Sequence, residues 1–345
     1  MSSAVIGYFG YDTNQLDGQT IKTREVYELI RLEIDADVSY FDTESLKKNK
    51  LYLFSLIKMI IRSDKIFYLP GQSNLKYIFP LIFMLTSIFR NKIYMLAVGG
   101  WLYEFVIKHP LLKSMLKKLP CILVETNFLK QNLSKINFHN VDIIPNFRDH
   151  DFNITADQLE VSKNSLSLVF MARVMQEKGL DTMFEYAELL QKDPYSTPVT
   201  LDIYGPIAEK YCDVLKKELK KYEFIKYKGV VNSKDVHKVL SKYDVLVFPT
   251  YYQGEGFPGT VIDSYISGVP VIATRWKQIP EFVKDGKTGF LVEVKNAVEI
   301  YEVVGQLVDD KDKLLALKCN ALAESKIYSK EIALEIIRNK IKSNS

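Results

Sequence analysis

The chain reads as an α/β protein built from two domains, each a parallel sheet with helices on both faces. Three observations predict this. Short apolar runs rich in β-branched residues alternate with helical stretches along the whole chain, and that alternation requires crossover helices and therefore parallel strands. The runs fall into two series of six, which implies two Rossmann-like domains. Between the series lies 146–165, NFRDHDFNITADQLEVSKNS, polar and weakly periodic, and 345 residues is an ordinary length for two domains.

The first series places strands at 4–9, 38–41, 65–69, 93–98, 121–125 and 141–144. The second places them at 167–171, 199–204, 225–227, 245–248, 269–273 and 289–292. The expected division is 1–150, then 151–327, with a closing helix in 328–345. The opening MSSAVIGYFGYD has no charged start and no long apolar core, so it reads as a first strand rather than a signal peptide. Cys121, Cys212 and Cys319 stand far apart without metal-ligand spacing, which predicts buried thiols in a reducing compartment.

Charge is uneven. Residues 47–118 hold thirteen Lys or Arg against two acids, a local excess of eleven, interleaved with runs such as LYLFSLIKMIIR and YIFPLIFMLTSIF. Ile78 to Phe89 is too short to cross a bilayer and contains Pro80. Two readings remain: an anionic membrane surface receives this basic, apolar region, or its helices are buried with solvated lysines. The basic window carries no nucleic-acid-binding motif, so no nucleic-acid partner is predicted.

The most informative stretch is Tyr251 to Pro270, YYQGEGFPGTVIDSYISGVP. Glu255 and Asp263 are separated by seven residues, with Gly256-Phe257-Pro258-Gly259 turning between them and an apolar helical pattern following. Pro258 suits a first helical position, Gly259 allows a ligand close to the backbone, and the helix start favours an anion. The segment therefore reads as a carboxylate, an anion-binding helix start near Thr260, and a second carboxylate two turns into the helix. A sugar nucleotide offers matching hydroxyls and phosphates. Two acids at this spacing are by themselves ordinary surface residues, so the surroundings decide.

Those surroundings, DVLVFPTYYQGEGFPGTVIDSYISGVPVIATRWKQIPEFVKDGKTGFLVE over 244–293, resemble the donor-binding half of family-4 retaining glycosyltransferases. The features carrying the likeness are Pro249, Glu255, Gly268 to Ala273, Pro280-Glu281, Asp285-Gly286 and Thr288-Gly289. One position departs: the family's second acid is usually Glu, and here it is Asp263. The resemblance, which extends to enzymes of bacterial capsule and O-antigen (lipopolysaccharide) synthesis, implies the GT-B fold. In that fold two Rossmann-like domains face each other across a cleft, and the last helix packs back on the first domain.

The resemblance also implies roles. In MARVMQEKGLDTMFEYAELL, Arg173 and Lys178 follow a strand end, where the family's cations contact the donor diphosphate; these two and Glu255 are the expected catalytic residues. Gly256, Phe257, Pro258, Gly259, Thr260 and Asp263 are expected to bind the donor, Glu255 holding its sugar and Asp263 the ribose. In the first domain the family places a Gly-rich loop where Asp17, Gly18, Gln19 and Thr20 stand, although a plain turn with Thr20 as helix cap fits equally. Gly99, Gly100, Tyr103 and Glu104 are acceptor-side candidates. Many relatives have a His there; His109, His139, His150 and His237 lie in no recognised motif, leaving a His base unsupported.

Asp35/Asp37 and Asp149/Asp151 read as solvated turns, so no metal and no cofactor are expected. The expected donor is a UDP- or GDP-sugar, and the acceptor a glycan or lipid-linked oligosaccharide. The expected location is the cytoplasm, peripheral on the inner face of the membrane. Other GT-B enzymes (an epimerase or a phosphorylase) and a non-catalytic nucleotide-sugar-binding protein are the alternatives.

Overall fold

The structure, a computed structural model, describes residues 2–13 and 18–344. It divides into two compact units, one comprising Met1–Asp149 with Ser329–Ser345 and the other His150–Tyr328.

In the first unit the parallel strands are β1 (Ser3–Gly7), β2 (Ser39–Asp42), β3 (Lys65–Leu69), β4 (Lys92–Ala97), β5 (Cys121–Val124) and β6 (Val141–Ile143), ordered β2-β1-β3-β4-β5-β6. Neighbouring residues on a strand point to opposite faces, and each face has its own core. Ile6, Tyr68, Met95 and Ile122 pack against Leu56 and Ile60 of the helix Tyr52–Arg62 and Phe79 and Ile82 of the helix Phe79–Phe89. Val5, Phe67, Tyr94 and Leu123 pack against Val26 and Ile30 of the helix Gly18–Glu33 and Ala333, Leu334 and Ile337 of the last helix, Lys330–Ser343. Burial on both sides explains why these strands read as continuous apolar runs.

The second unit repeats the plan with β7 (Leu166–Met171), β8 (Val199–Tyr204), β9 (Ile225–Gly229), β10 (Val245–Phe248), β11 (Val271–Thr274) and β12 (Gly289–Val292), ordered β12-β11-β10-β7-β8-β9. Leu168, Phe170, Val245 and Val247 face the helices Leu180–Lys192 and Ala297–Asp309. Val169, Leu246 and Phe248 face Val261, Ile262 and Tyr265 of the helix Gly259–Ile266. Each such side chain contributes about 1.5–3 kcal/mol on burial.

The strand orders locate the site. In the second sheet the chain runs outward from β7 through β8 to β9, then returns to the other side of β7 with β10. The carboxyl ends of β7 and β10 therefore stand side by side at the reversal of strand order, the usual ligand position in an open parallel sheet. In the first sheet the same reversal falls between β1 and β3.

Several details differ from the sequence expectation. The eleventh strand begins at Val271, not residue 269, because the residues before it end the preceding helix. Gly268 adopts φ +68°, its N–H donates to Tyr265 O at 3.0 Å, and Val269 N–H donates to Ser264 O at 2.9 Å. This is a Schellman ending, which uses the Val269 amide before a strand can claim it. Pro258 is not the first helical residue; it stands just outside, extended at ψ 117°, and the helix opens at Gly259. Asp263 is consequently little more than one turn into that helix, not two. Gly18 is the first residue of its helix rather than part of a loop, and Thr20 is buried inside the helix instead of capping it.

Among the described residues no helix is long and apolar enough to cross a membrane. In the basic region Phe54, Tyr77, Ile88 and Leu111 are exposed, while Leu56, Ile60, Phe79 and Ile82 are core. The region thus holds both core residues and exposed apolar ones.

Candidate functional site

The loop after β7 is held on both sides of Arg173. Ala172 N–H donates to Tyr204 O at 3.2 Å and Val174 N–H to Pro206 O at 2.9 Å. Gly205, at φ +133°, permits this approach, since a Cβ there would lie 1.9 Å from Ala172 O. Arg173 itself is exposed and makes no ion pair among the described residues.

Three residues further on, the loop turns back through a short 3₁₀ segment, Gln176–Lys178, and meets the loop after β10. Tyr251 N–H donates to Glu177 O at 2.9 Å. Gly179 is left-handed at φ +86°, and a Cβ on it would stand 2.0 Å from Pro249 O. Only glycine combines that φ with that approach. From the other side, Thr260 Oγ1 donates to Met171 O at 2.9 Å, tying the start of the helix Gly259–Ile266 to the end of β7.

These ties bring Lys178 and Glu255 together. Lys178 Nζ donates to Glu255 Oε2 at 2.6 Å, with the two side chains 15% and 9% exposed. Thr250 Oγ1 lies 2.8 Å from the same carboxylate oxygen, and the Lys178 ammonium stands 5.4 Å from the Phe248 ring centre and 5.0 Å from that of Tyr252. A nearly buried ion pair needs such added partners to offset its desolvation. Gly256, Phe257 and Pro258 are buried beside it, and the first N–H groups of the following helix lack intrahelical partners by construction. The arrangement offers an exposed guanidinium, a paired ammonium, a carboxylate and a helix start around one strand crossing. Chemically, it suits an anion linked to a hydroxylated group.

Asp263 has a partner of its own. Its Oδ1 is 3.2 Å from Nε2 of His237, on the helix Val236–Leu240. Sequence reading passed over His237 because one histidine on a short helix carries no motif.

In the first unit, Gln19 Nε2 donates to Leu69 O at 3.2 Å, which places Gln19 at the β1/β3 reversal; Gly18 is beside it, and Asp17 lies outside the described residues. Gly99 and Gly100 follow β4, and Gly99 N–H donates to Glu125 Oε2 at 2.9 Å. Tyr103 is half-buried and Glu104 exposed on the helix Leu102–Lys108. Three polar residues here escaped sequence reading. Lys22 Nζ donates to Asn146 Oδ1 at 3.1 Å and stands 3.5 Å over the Phe147 ring, and Glu125 is buried nearby. Burial pushes the Lys22 pKa down to about 8, against the pull of Glu25 and Glu125. A lysine on an amphipathic helix has no sequence mark of burial.

Among the described residues, no three His, Cys, Asp or Glu side chains are grouped to hold a metal. Asp35 Oδ1 accepts from Asp37 N–H at 3.2 Å within a turn, and Asp149 pairs with Lys330 at 2.7 Å.

Residues 165–310 match the family described as Glycosyl transferases group 1. Over 145 residues the chain is 28% identical to an uncharacterized 41.2 kDa protein in the cps region of Klebsiella pneumoniae, covering 42% of this chain and 37% of that protein. Over 170 residues it is 28% identical to the poly(ribitol-phosphate) alpha-N-acetylglucosaminyltransferase of Staphylococcus aureus, covering 48% and 33%. The matches thus span about a third of each of these curated relatives. Among solved structures, Anabaena Alr3699/HepE in complex with UDP superposes with TM-score 0.76 at 14% identity, covering 99% of this chain and 100% of that one. The fold, two six-stranded parallel sheets in an α/β chain, is that of the GT-B glycosyltransferases.

Proposed function

We propose that the protein is a retaining glycosyltransferase, a reading supported by the match of residues 165–310 to the family described as Glycosyl transferases group 1. It moves a sugar from a nucleotide-diphosphate sugar to a glycan acceptor. The observation that carries this reading is the Lys178–Glu255 pair, set at 2.6 Å where the loops after β7 and β10 meet, beside the start of the helix Gly259–Ile266.

In this reading Glu255 accepts hydrogen bonds from the donor sugar's hydroxyls. Lys178, Arg173 and the N–H groups of Gly259 and Thr260 receive the diphosphate. Asp263 takes the ribose hydroxyls. The acceptor hydroxyl attacks the anomeric carbon from the face the phosphate leaves. Its oxygen forms the new bond as the sugar–phosphate bond breaks, and its proton passes to the departing phosphate. No protein base is needed, and the negative charge that develops meets cations and dipoles already in place. Those groups supply the charge stabilisation without a metal ion.

The UDP held by the Anabaena structure supports trying UDP-sugars before GDP-sugars. The names of the Klebsiella and Staphylococcus relatives support a surface-polysaccharide acceptor, which we take to be lipid-linked. The exposed Phe54, Tyr77, Ile88 and Leu111, among Lys50, Lys58, Arg62 and Lys76, support a peripheral contact with an anionic inner membrane face.

A thermal-shift panel of UDP, GDP, ADP and their sugars tests the donor. Stabilisation by one nucleotide family supports the reading, and none by any of them sinks it. The anomeric configuration of the product, read by NMR, tests retention. Flotation with anionic vesicles at low and high salt tests the membrane contact, which fails if the protein ignores the vesicles at low salt.

A further inference from the structure

Asp263 is where this chain carries a shorter acid than the family it resembles, and the structure gives that acid a partner from another element. His237 is 8% exposed, with its Nε2 3.2 Å from Asp263 Oδ1. An ionised carboxylate can only accept, so Nε2 carries the proton whether the ring is neutral or charged. The imidazole is braced in turn. The ring of His150 lies 5.0 Å from it and that of Phe152 5.9 Å, and His150 Nδ1 donates to Phe152 O at 2.9 Å.

A buried histidine is ordinarily a satisfied core residue. Here its partner is an acid whose side chain is still 15% exposed, one turn into the helix that opens the site. A carboxylate accepts about four hydrogen bonds, so a bond from His237 does not prevent it from accepting from hydroxyls as well. Holding the carboxylate in one orientation before a ligand arrives removes part of the ordering cost of binding.

We propose that His237 is a positioning residue that fixes the Asp263 carboxylate for the ribose 2′- and 3′-hydroxyls of the donor. The proposal rests on the donor reading above. It makes His237 a determinant of ribonucleotide preference, although His237 touches no ligand atom.

The test titrates the full chain and its variants with UDP and 2′-deoxy-UDP, and with GDP and 2′-deoxy-GDP, by calorimetry. Loss of a hydroxyl bond to a charged acceptor corresponds to roughly ten- to a hundredfold in affinity. The wild type should prefer the ribonucleotide by about that factor, and Asp263→Asn should lose the preference. His237→Leu should lose most of it. His237→Gln, whose amide nitrogen reaches near the place of Nε2, should keep it. If His237→Leu melts below the working temperature, His237→Asn replaces it, since its amide is too short to reach Oδ1. Full preference in His237→Leu or His237→Asn, with loss in Asp263→Asn, overturns the positioning role and leaves the donor reading standing. Retained preference in Asp263→Asn overturns the ribose assignment. A wild type that binds neither nucleotide overturns both.

Discussion

Lys178 and Glu255 are 77 residues apart in the chain and 2.6 Å apart in space, joined across the reversal point of the second sheet. Both side chains are largely removed from water, so each offsets the other's desolvation. The pair is therefore a structural tie between two loops as well as the centre of the proposed donor site.

Removing one partner strands the other's charge. Lys178→Met and Glu255→Gln should each destabilise the second unit by about 3–5 kcal/mol, and the double variant by much less than their sum. Urea denaturation of the four proteins measures this. Additive losses would show that the pair is not coupled.

Gly179 and Gly18 make opposite predictions. Gly179→Ala forces a Cβ to 2.0 Å from Pro249 O at a left-handed φ, whereas a Cβ on Gly18 meets nothing within 4 Å. Gly179→Ala should cost more than about 2 kcal/mol, while Gly18→Ala, at a helix start, should be neutral or stabilise by up to about 1 kcal/mol. Melting curves decide; an undisturbed Gly179→Ala protein would mean the two loops are not packed as described.

Arg173 is exposed and without an ion pair among the described residues, so its removal should barely touch stability. Arg173→Ala should nevertheless cost about 2–4 kcal/mol of transition-state stabilisation, by analogy with losing one oxyanion donor. Near-normal transfer rates would remove Arg173 from the proposed chemistry.

The pH dependence of stability tests Lys22. Its folded pKa is lowered to about 8 by burial, from an ordinary value of 10.5. Between those values the unfolded chain holds the proton and the folded chain does not, so stability should rise with pH from about 8 to 10.5. The contribution is fully present above that window and lost as pH falls through about 8. Lys22→Met should abolish this rise, as measured by urea unfolding at pH 7.5 and 9.5. An equal rise in the variant would assign it to other groups.

The strands were legible because they rest on local rules. β3, β8, β10 and β12 fall where their apolar runs predict, since a strand buried on both faces writes its burial into consecutive residues. The segment from Glu255 to Asp263 was legible because its turn, glycine and helix pattern are contiguous. The helix start was misjudged by one residue, since a proline with its φ preset fits both inside and just before a helix.

What the sequence determined by itself, then, is the alternation that makes two parallel sheets and the presence of Arg173, Lys178 and Glu255 on loops after strands, with Asp263 on the helix that follows. The tertiary structure alone decided their partners: Lys178 with Glu255, Asp263 with His237, and the buried Lys22 with Asn146. The physical reason is range. Strand propensity and turn chemistry act between near neighbours, while a buried charge or a carboxylate takes whichever partner the sheet order brings within about 3 Å.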